Sequence, residues 1–307
     1  AINPDTFDKS TLTPIIGSGP YTLTDVHAPD YTIYKRNPDY WGKDLPIKRG
    51  FDNYDEIRVD YYRDSNTLFE AFKKGLFDVQ PEGDPAAWNT NYNFPAMTDG
   101  RVVRETFKTN SPKGMTGFAF NTRRPVFADV RVRKALSELL DFNWINKNLY
   151  YGAFVRASGY YNDSELSSIG RPESDKEKAL LAPFPNAVAP DVMNGTYKAT
   201  NADVAEGDRK VLREVVDELK AAGYELRGDA MVNVATGAPL SFEILVTTRE
   251  DEKLGLAYQR TLARIGVTAN IRTVDSTQFQ LRRKTFDFDM VRNSWSASLS
   301  PGNEQIN

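Results

Sequence analysis

The sequence predicts an α/β fold organised in two units, on three grounds. The chain has 307 residues, about twice the length of an ordinary domain. Its second half alternates strand-like and helix-like segments, the pattern of βαβ units around a parallel sheet. Its hydrophobic fraction of 40% is enough to build a core and sets it apart from disordered chains.

The first half reads mostly as strands. Tyr21–Val26 and Tyr31–Arg36 alternate apolar and polar residues around Pro29-Asp30, which predicts a hairpin. A third strand is expected over 56–63. Asp64 or Ser65 then caps a short helix that runs to Lys74 and is stopped by Gly75. Residues 76–80, LFDVQ, read as a short strand. Asp84 and Pro85 have the order of an N-cap and a first helical residue. The stretches 101–108 and 115–121 alternate again and predict two more strands.

Beyond Asn121 the period changes. Asp129 caps a helix whose Val132, Ala135, Leu136, Leu139 and Leu140 fall at i, i+3, i+4, i+7 and i+8, one buried stripe. A further helical turn starts at Asn143. The segment 152–200 is rich in Gly, Pro, Ser and Asn and has weak periodicity, so it is either a surface excursion or a ligand-lining loop. Leu212, Val215, Val216, Leu219 and Ala222 form one face of a helix over 208–222, ended by Gly223. A strand at 240–247, a helix at 251–265 stopped by Gly266, a strand at 267–274 and a short helix at 276–284 lead to a last strand ending at Trp295.

Composition excludes several kinds of chemistry. Without cysteine there is no disulfide framework, thiolate nucleophile or zinc–thiolate site. The single histidine, His27, lies in the expected turn, a poor place for a catalytic triad or metal ligand. A net charge of −3 with both signs mixed argues against nucleic acid as partner. No stretch approaches the roughly 20 apolar residues of a membrane span. Residues 1–12 lack a basic start and an apolar middle, so any targeting segment is expected to have been removed. Gly17-Ser18-Gly19-Pro20 precedes a strand and has no Gly-Lys-Ser/Thr, so it is no phosphate loop; no cofactor and no metal are expected.

Three groups of charged residues need an account. Asp287 and Asp289, at i, i+2, would share one face of a strand and so raise glycosidase chemistry, but solvated charges are the simpler reading in an acidic chain. Arg131, Arg133 and Lys134 sit in the first turns of a helix, where they oppose its dipole. Ion pairs with acids such as Asp129 account for them; a contact with a ligand carboxylate is the functional alternative. The charges of 173–178 are ordinary polarity for a helix start.

Several motifs occur in a familiar order: GSGPYTL (17–23), RNPDYWG (36–42), VFADVRVRKALSELLDF (126–142), LKAAGYEL (219–226) and QRTLARIGVTANI (259–271), with a final strand ending in Trp295. Together they resemble, over nearly the whole chain, the extracellular solute-binding proteins of the oligopeptide/dipeptide class that serve ABC importers. The ending SWSASLSPGNEQ looks like the Yej-type branch, associated with peptide and microcin C uptake. The resemblance implies a two-lobed periplasmic-binding-protein type II fold (class C), here incomplete. It implies part of the first lobe in 1–115, a hinge crossing in 116–122 around Phe118 and Asn121, the second lobe in 123–291, and a truncated return hinge and loop in 292–307.

The same resemblance implies a function and a site. The chain would be a periplasmic, monomeric, non-enzymatic component that captures peptides between two lobes and hands them to membrane permease subunits. An opine, sugar or nickel chelate would be the other ligands of the class. Trp295 would be a flat wall against peptide side chains, and Arg292 a partner for a ligand carboxylate or carbonyl. Ser298 stands where many relatives place an Asp that pairs with the peptide ammonium, which implies tolerance of a blocked, formylated N-terminus. Glu304 is the anion that would substitute for that Asp, and Asn303 lies beside it in the same turn sequence.

Overall fold

The computed structural model describes residues 12–14, 16–107, 111–198, 209–300 and 302. The chain divides at Pro81/Glu82 into two compact units. In the first, β1 (Tyr21–His27), β2 (Tyr31–Arg36) and β3 (Glu56–Asp60) form an antiparallel sheet in that order. The expected hairpin is present, with Tyr21 opposite Arg36 and His27 opposite Tyr31. His27 is therefore the last residue of a strand and not a turn residue; it stacks on Tyr31 at 4.6 Å and pairs with Asp25 at 3.1 Å. Helix α1 (Ser65–Lys73) starts at Asp64, whose side chain accepts from the Thr67 amide at 2.9 Å. Gly75, at φ +70°, turns the chain out of it, as a residue without Cβ does at low cost.

Two expected strands are absent, and β3 stops at Asp60, three residues short. Residues 76–80 form no strand, because Phe77 packs its ring against Phe72 and Tyr62 at 5.6 and 5.8 Å. The described part of 101–108 also forms none. There Arg104 lies over the Trp88 ring at 4.6 Å and holds the chain beside a helix. Alternation makes a strand only where a sheet edge accepts the backbone hydrogen bonds, and neither stretch meets one among the described residues.

The second unit opens with α2 (Pro85–Thr90), capped by Asp84 as expected, and α3 (Pro95–Thr98). Strand β4 (Met115–Phe120) follows. Helix α4 (Val130–Glu138) is capped by Asp129, and α5 (Phe142–Leu149) by Asp141. The 152–200 excursion contains two short helices, α6 (Asp175–Leu181), whose start the charges of 173–178 signalled, and α7 (Pro190–Met193), which the sequence did not signal. Ser174 and Glu177 form a reciprocal capping box at the start of α6, which accounts for the polarity of 173–178. Helix α8 (Arg209–Ala221) leads into an unforeseen hairpin of β5 (Tyr224–Arg227) and β6 (Ala230–Asn233), turned at Gly228. Then come β7 (Ser241–Val246), α9 (Arg249–Ala263), β8 (Thr268–Thr273), α10 (Ser276–Lys284) and β9 (Met290–Trp295).

The main sheet has the order β4-β9-β7-β8. Strands β7, β8 and β9 are parallel, and β4 runs antiparallel to β9. Period-two alternation sorts the β7 side chains between two cores. Phe242, Ile244 and Val246 join the large core with Leu136, Leu139, Val215, Leu219 and Leu262, from α4, its C-cap, α8 and α9. Leu245 points the other way, into a smaller core with Val274, Phe288 and Val291, where Phe279 of α10 packs. Helices thus cover both faces, as a parallel sheet requires. The connection through α9 places β8 on one side of β7, and the connection through α10 places β9 on the other. The strand order therefore reverses direction at β7.

Candidate ligand-binding site

In open α/β sheets, ligands sit outside the carboxyl ends of the strands where the order reverses. Here that place is the end of β7, flanked by the ends of β8 and β9. Thr248 caps α9 there, its hydroxyl accepting from the Asp251 amide at 3.0 Å. Glu250, Asp251 and Glu252 fill the first turn, where carboxylates complement the helix dipole. Arg292, the third of the six residues of β9, spans to this turn. It bonds the Asp251 carboxylate and lies 3.6 Å from Glu250. Asp251 is buried and Arg292 half-buried, so the pair sits where an uncompensated charge would be costly.

The cluster shifts the acids around it. Burial raises Glu250 above the ordinary carboxylate value of 4.5, with Asp84 and Asp251 adding to it against the pull of Arg292. Tyr150, just past the end of α5, is pushed up to about 12, chiefly by burial. Burial also raises the Tyr258 phenol, whose hydroxyl donates to the Leu136 carbonyl at 2.6 Å. Sequence reading missed Glu250, Asp251 and Tyr150. Acids in a first helical turn look like dipole complements, and only the order of the strands marks that turn as the rim of a crevice.

The expected residues fall as follows. Trp295 ends β9 directly opposite Met115, is half-buried, and meets Tyr160 edge-to-face at 6.3 Å. Tyr160 comes from the 152–200 excursion, so that segment does reach this edge. Ser298 is half-buried in the loop beyond β9. Arg292 already holds two carboxylates of the chain itself. Asn303 and Glu304 lie outside the described residues. Phe118, in the middle of β4, stacks on Tyr258 at 5.8 Å. Asn121, at the opposite end of β4 from Met115, is buried and donates to the Phe286 and Phe288 carbonyls at 3.0 and 2.7 Å.

The other charged groups have structural partners. Arg131 bonds Asp129, Arg133 donates to the Phe127 and Ala128 carbonyls, and Lys134 pairs with Glu218. Arg131 and Lys134 thus make the expected ion pairs, and Arg133 bonds backbone carbonyls instead. Asp287 and Asp289 precede β9 and do not lie on it. Arg124 bridges them at 3.0 and 3.2 Å, Arg282 reaches Asp287 at 3.3 Å, and Asp289 accepts from the Glu243 amide at 2.9 Å. They are members of an ion-pair network, not a free carboxylate pair. Among the described residues no group of three or more His, Asp or Glu could hold a metal ion, and no helix is long and apolar enough to cross a membrane.

Known proteins with this sequence and fold agree with one another. A Brucella melitensis relative, named only as a binding protein, is 50% identical over 305 residues, which cover 99% of this chain and 50% of the relative. The peptidoglycan-binding protein YepA of Agrobacterium fabrum is 45% identical, over 100% of this chain and 51% of its own length. The chain thus spans about half the length of the curated relatives it matches. The solved structure of the Escherichia coli murein tripeptide binding protein MppA superposes with a TM-score of 0.61 at 17% identity, over 96% of this chain and 49% of MppA. That likeness establishes the two-lobed periplasmic-binding fold, of which this chain supplies a large part. The family model for bacterial extracellular solute-binding proteins, family 5 Middle, matches residues 1–307. The chain belongs to the bacterial extracellular solute-binding proteins of family 5.

Proposed function

We propose that the chain is part of the substrate-binding component of an ABC importer, which captures peptides in the periplasm and delivers them to permease subunits in the membrane. The observation that carries this reading is the aromatic rim at the carboxyl end of β9. There Trp295 meets Tyr160 edge-to-face, and three residues earlier on the same strand Arg292 pairs with Asp251 and Glu250. Such a rim suits a ligand held by stacking and backbone hydrogen bonds, with roomy, wet contacts for varied side chains. Capture needs closure of two lobes and no bond-making group. The names of YepA and MppA support a ligand of peptide type.

In this reading 1–115 belongs to the first lobe, 116–122 is the crossing, 123–291 is the second lobe, and 292–307 begins the return. The protein acts as a monomer. Phe118 and Asn121 are the hinge residues of that crossing. Trp295 is the ligand wall. Asn303 and Glu304, outside the described residues, are further ligand-contact candidates close to Ser298 in sequence. Ser298 offers a hydroxyl and no charge, so a free ammonium entering there sheds water without gaining a counter-ion. A formylated N-terminus is neutral and adds a carbonyl that a hydroxyl or an amide can satisfy.

The test is competition binding on the full-length protein with one peptide in free and N-formylated forms. The formylated form is expected to bind at least as well, and Ser298→Asp to shift preference toward the free amine by roughly 1–3 kcal/mol. A strong wild-type preference for the free amine would overturn the reading of Ser298. Absence of saturable binding by either peptide would overturn the peptide reading itself.

A further inference from the structure

Beside α5 the second unit has a depression that is separate from the aromatic rim. It is an open depression of about 460 Å³ between the start of α5 and residues from both ends of the 152–200 excursion, a size in the range of small-molecule sites. Phe142, Phe154, Ile169 and Tyr197 supply apolar and aromatic wall. Arg156 and Lys198 are the charged residues that line it, and no lining residue is an Asp or Glu.

Arg156 is the unusual member. It is half-buried, and its two Nη atoms meet the Leu140 carbonyl at 3.0 Å and the Ser137 carbonyl at 3.5 Å. Those contacts cap the end of α4, a structural role that accounts for two of its donors. A guanidinium carries five N–H groups, and among the described residues no carboxylate lies within ion-pair distance of the other three. Of the other half-buried arginines of this unit, Arg133 bonds only the Phe127 and Ala128 carbonyls and Arg283 only the Asn293 amide oxygen among the described residues, while others hold carboxylates. Arg292 holds Asp251 and Glu250, and Arg282 holds Glu243 and Asp287. Asp141, whose carboxylate accepts from the Trp144 amide at 2.8 Å to cap α5, is close enough to act on Arg156 through space and offsets part of its charge. Burial lowers the Arg156 pKa from its ordinary value. Carbonyl dipoles alone do not replace a counter-ion for a cation partly out of water. The exposed Lys198 adds a second positive charge to the same wall.

We propose that this depression is a second small-molecule site, which takes an organic carboxylate with an aromatic or branched apolar body. The carboxylate pairs with the Arg156 fork, where charge-assisted bonds are strongest, and the body lies against Phe142, Phe154 and Tyr197. Such a carboxylate can come from a free metabolite-sized acid or from an acidic end of a peptide held at the rim.

The experiment is isothermal titration of the chain with N-acetylphenylalanine and with its primary amide, two probes of the same shape that differ in charge. The acid is expected to bind about tenfold more tightly than the amide. Arg156→Gln is expected to remove about that factor for the acid alone, and Lys198→Ala to weaken the acid roughly two- to fivefold. Binding of the acid by Trp295→Ala at wild-type affinity assigns it to a site of its own. Loss of binding in that variant places the acid at the rim and overturns the proposal. Equal affinity for acid and amide, or no binding of either up to roughly 10 mM, also overturns it. Because Arg156→Gln removes contacts to the end of α4, the acid–amide difference in the wild type and Lys198→Ala decides the matter if that variant does not fold.

Discussion

At the scale of single residues, the Arg292 cluster makes the sharpest claims. Glu250 binds its proton more tightly in the folded chain than in the unfolded one, because burial outweighs the attraction of Arg292. A carboxyl with a raised folded pKa lowers stability as pH rises from its ordinary value of 4.5 through the raised one. Glu250→Gln is therefore expected to flatten the fall in stability over that window and to leave the protein at least as stable at neutral pH. Urea unfolding at several pH values measures it, and a variant whose stability falls as steeply as the wild type's would refute the assignment. Arg292→Leu should act in the opposite sense. It strands the buried Asp251 carboxylate and should cost about 3–5 kcal/mol. For Trp295 the expectation concerns binding. Trp295→Ala in the full-length protein should weaken peptide affinity by roughly 1–3 kcal/mol with little change in melting temperature. If the melting temperature collapses and affinity holds, the ring is a core cap.

At the scale of elements, helices were easier to read than strands. The stripe Val132, Ala135, Leu136 and Leu139 is fully buried, as its spacing required, and so are Val215 and Leu219 of the helix that packs against it. Caps at Asp64, Asp84 and Asp129 all hold backbone amides. A helix closes its own hydrogen bonds, so its signal is local. Strands need a partner, and the alternating stretches 76–80 and 101–107 have none among the described residues. The β5–β6 hairpin escaped notice for the opposite reason. Its strands of four residues are too short for a period to register, yet Met231 is buried under the large core. Leu219→Ala should cost about 2–5 kcal/mol, the range for a buried leucine. Asp129→Ala should cost about 0.5–2 kcal/mol for the lost cap. Chemical denaturation of both variants tests whether the α4–α8 seam or the cap carries more of the stability.

At the scale of the whole molecule, this chain spans about half of its relatives. A cleft that closes between lobes buries ligand on both sides, so peptide affinity is expected to be much lower for this span alone than for the full-length protein. Parallel titrations of the two with one peptide compare them directly, and equal affinities would show that the 1–307 span holds the complete site.

The sequence by itself determined the class of the fold, the buried faces of its helices, most of its caps and, through ordered motifs, the family. Each of those is written in the spacing of neighbouring residues. Tertiary structure alone decided which strands pair and in what order, and hence that the strand order reverses at β7. It also decided which charges are already matched. Arg292 and Asp287 looked available in the sequence because Asp251 lies 41 residues from the one and Arg124 lies 163 residues from the other along the chain. Arg156 looked ordinary because its lack of an ion-paired carboxylate among the described residues is visible only once the fold has placed the other charges. Ion pairing and strand order depend on distance through space, and no local period encodes it.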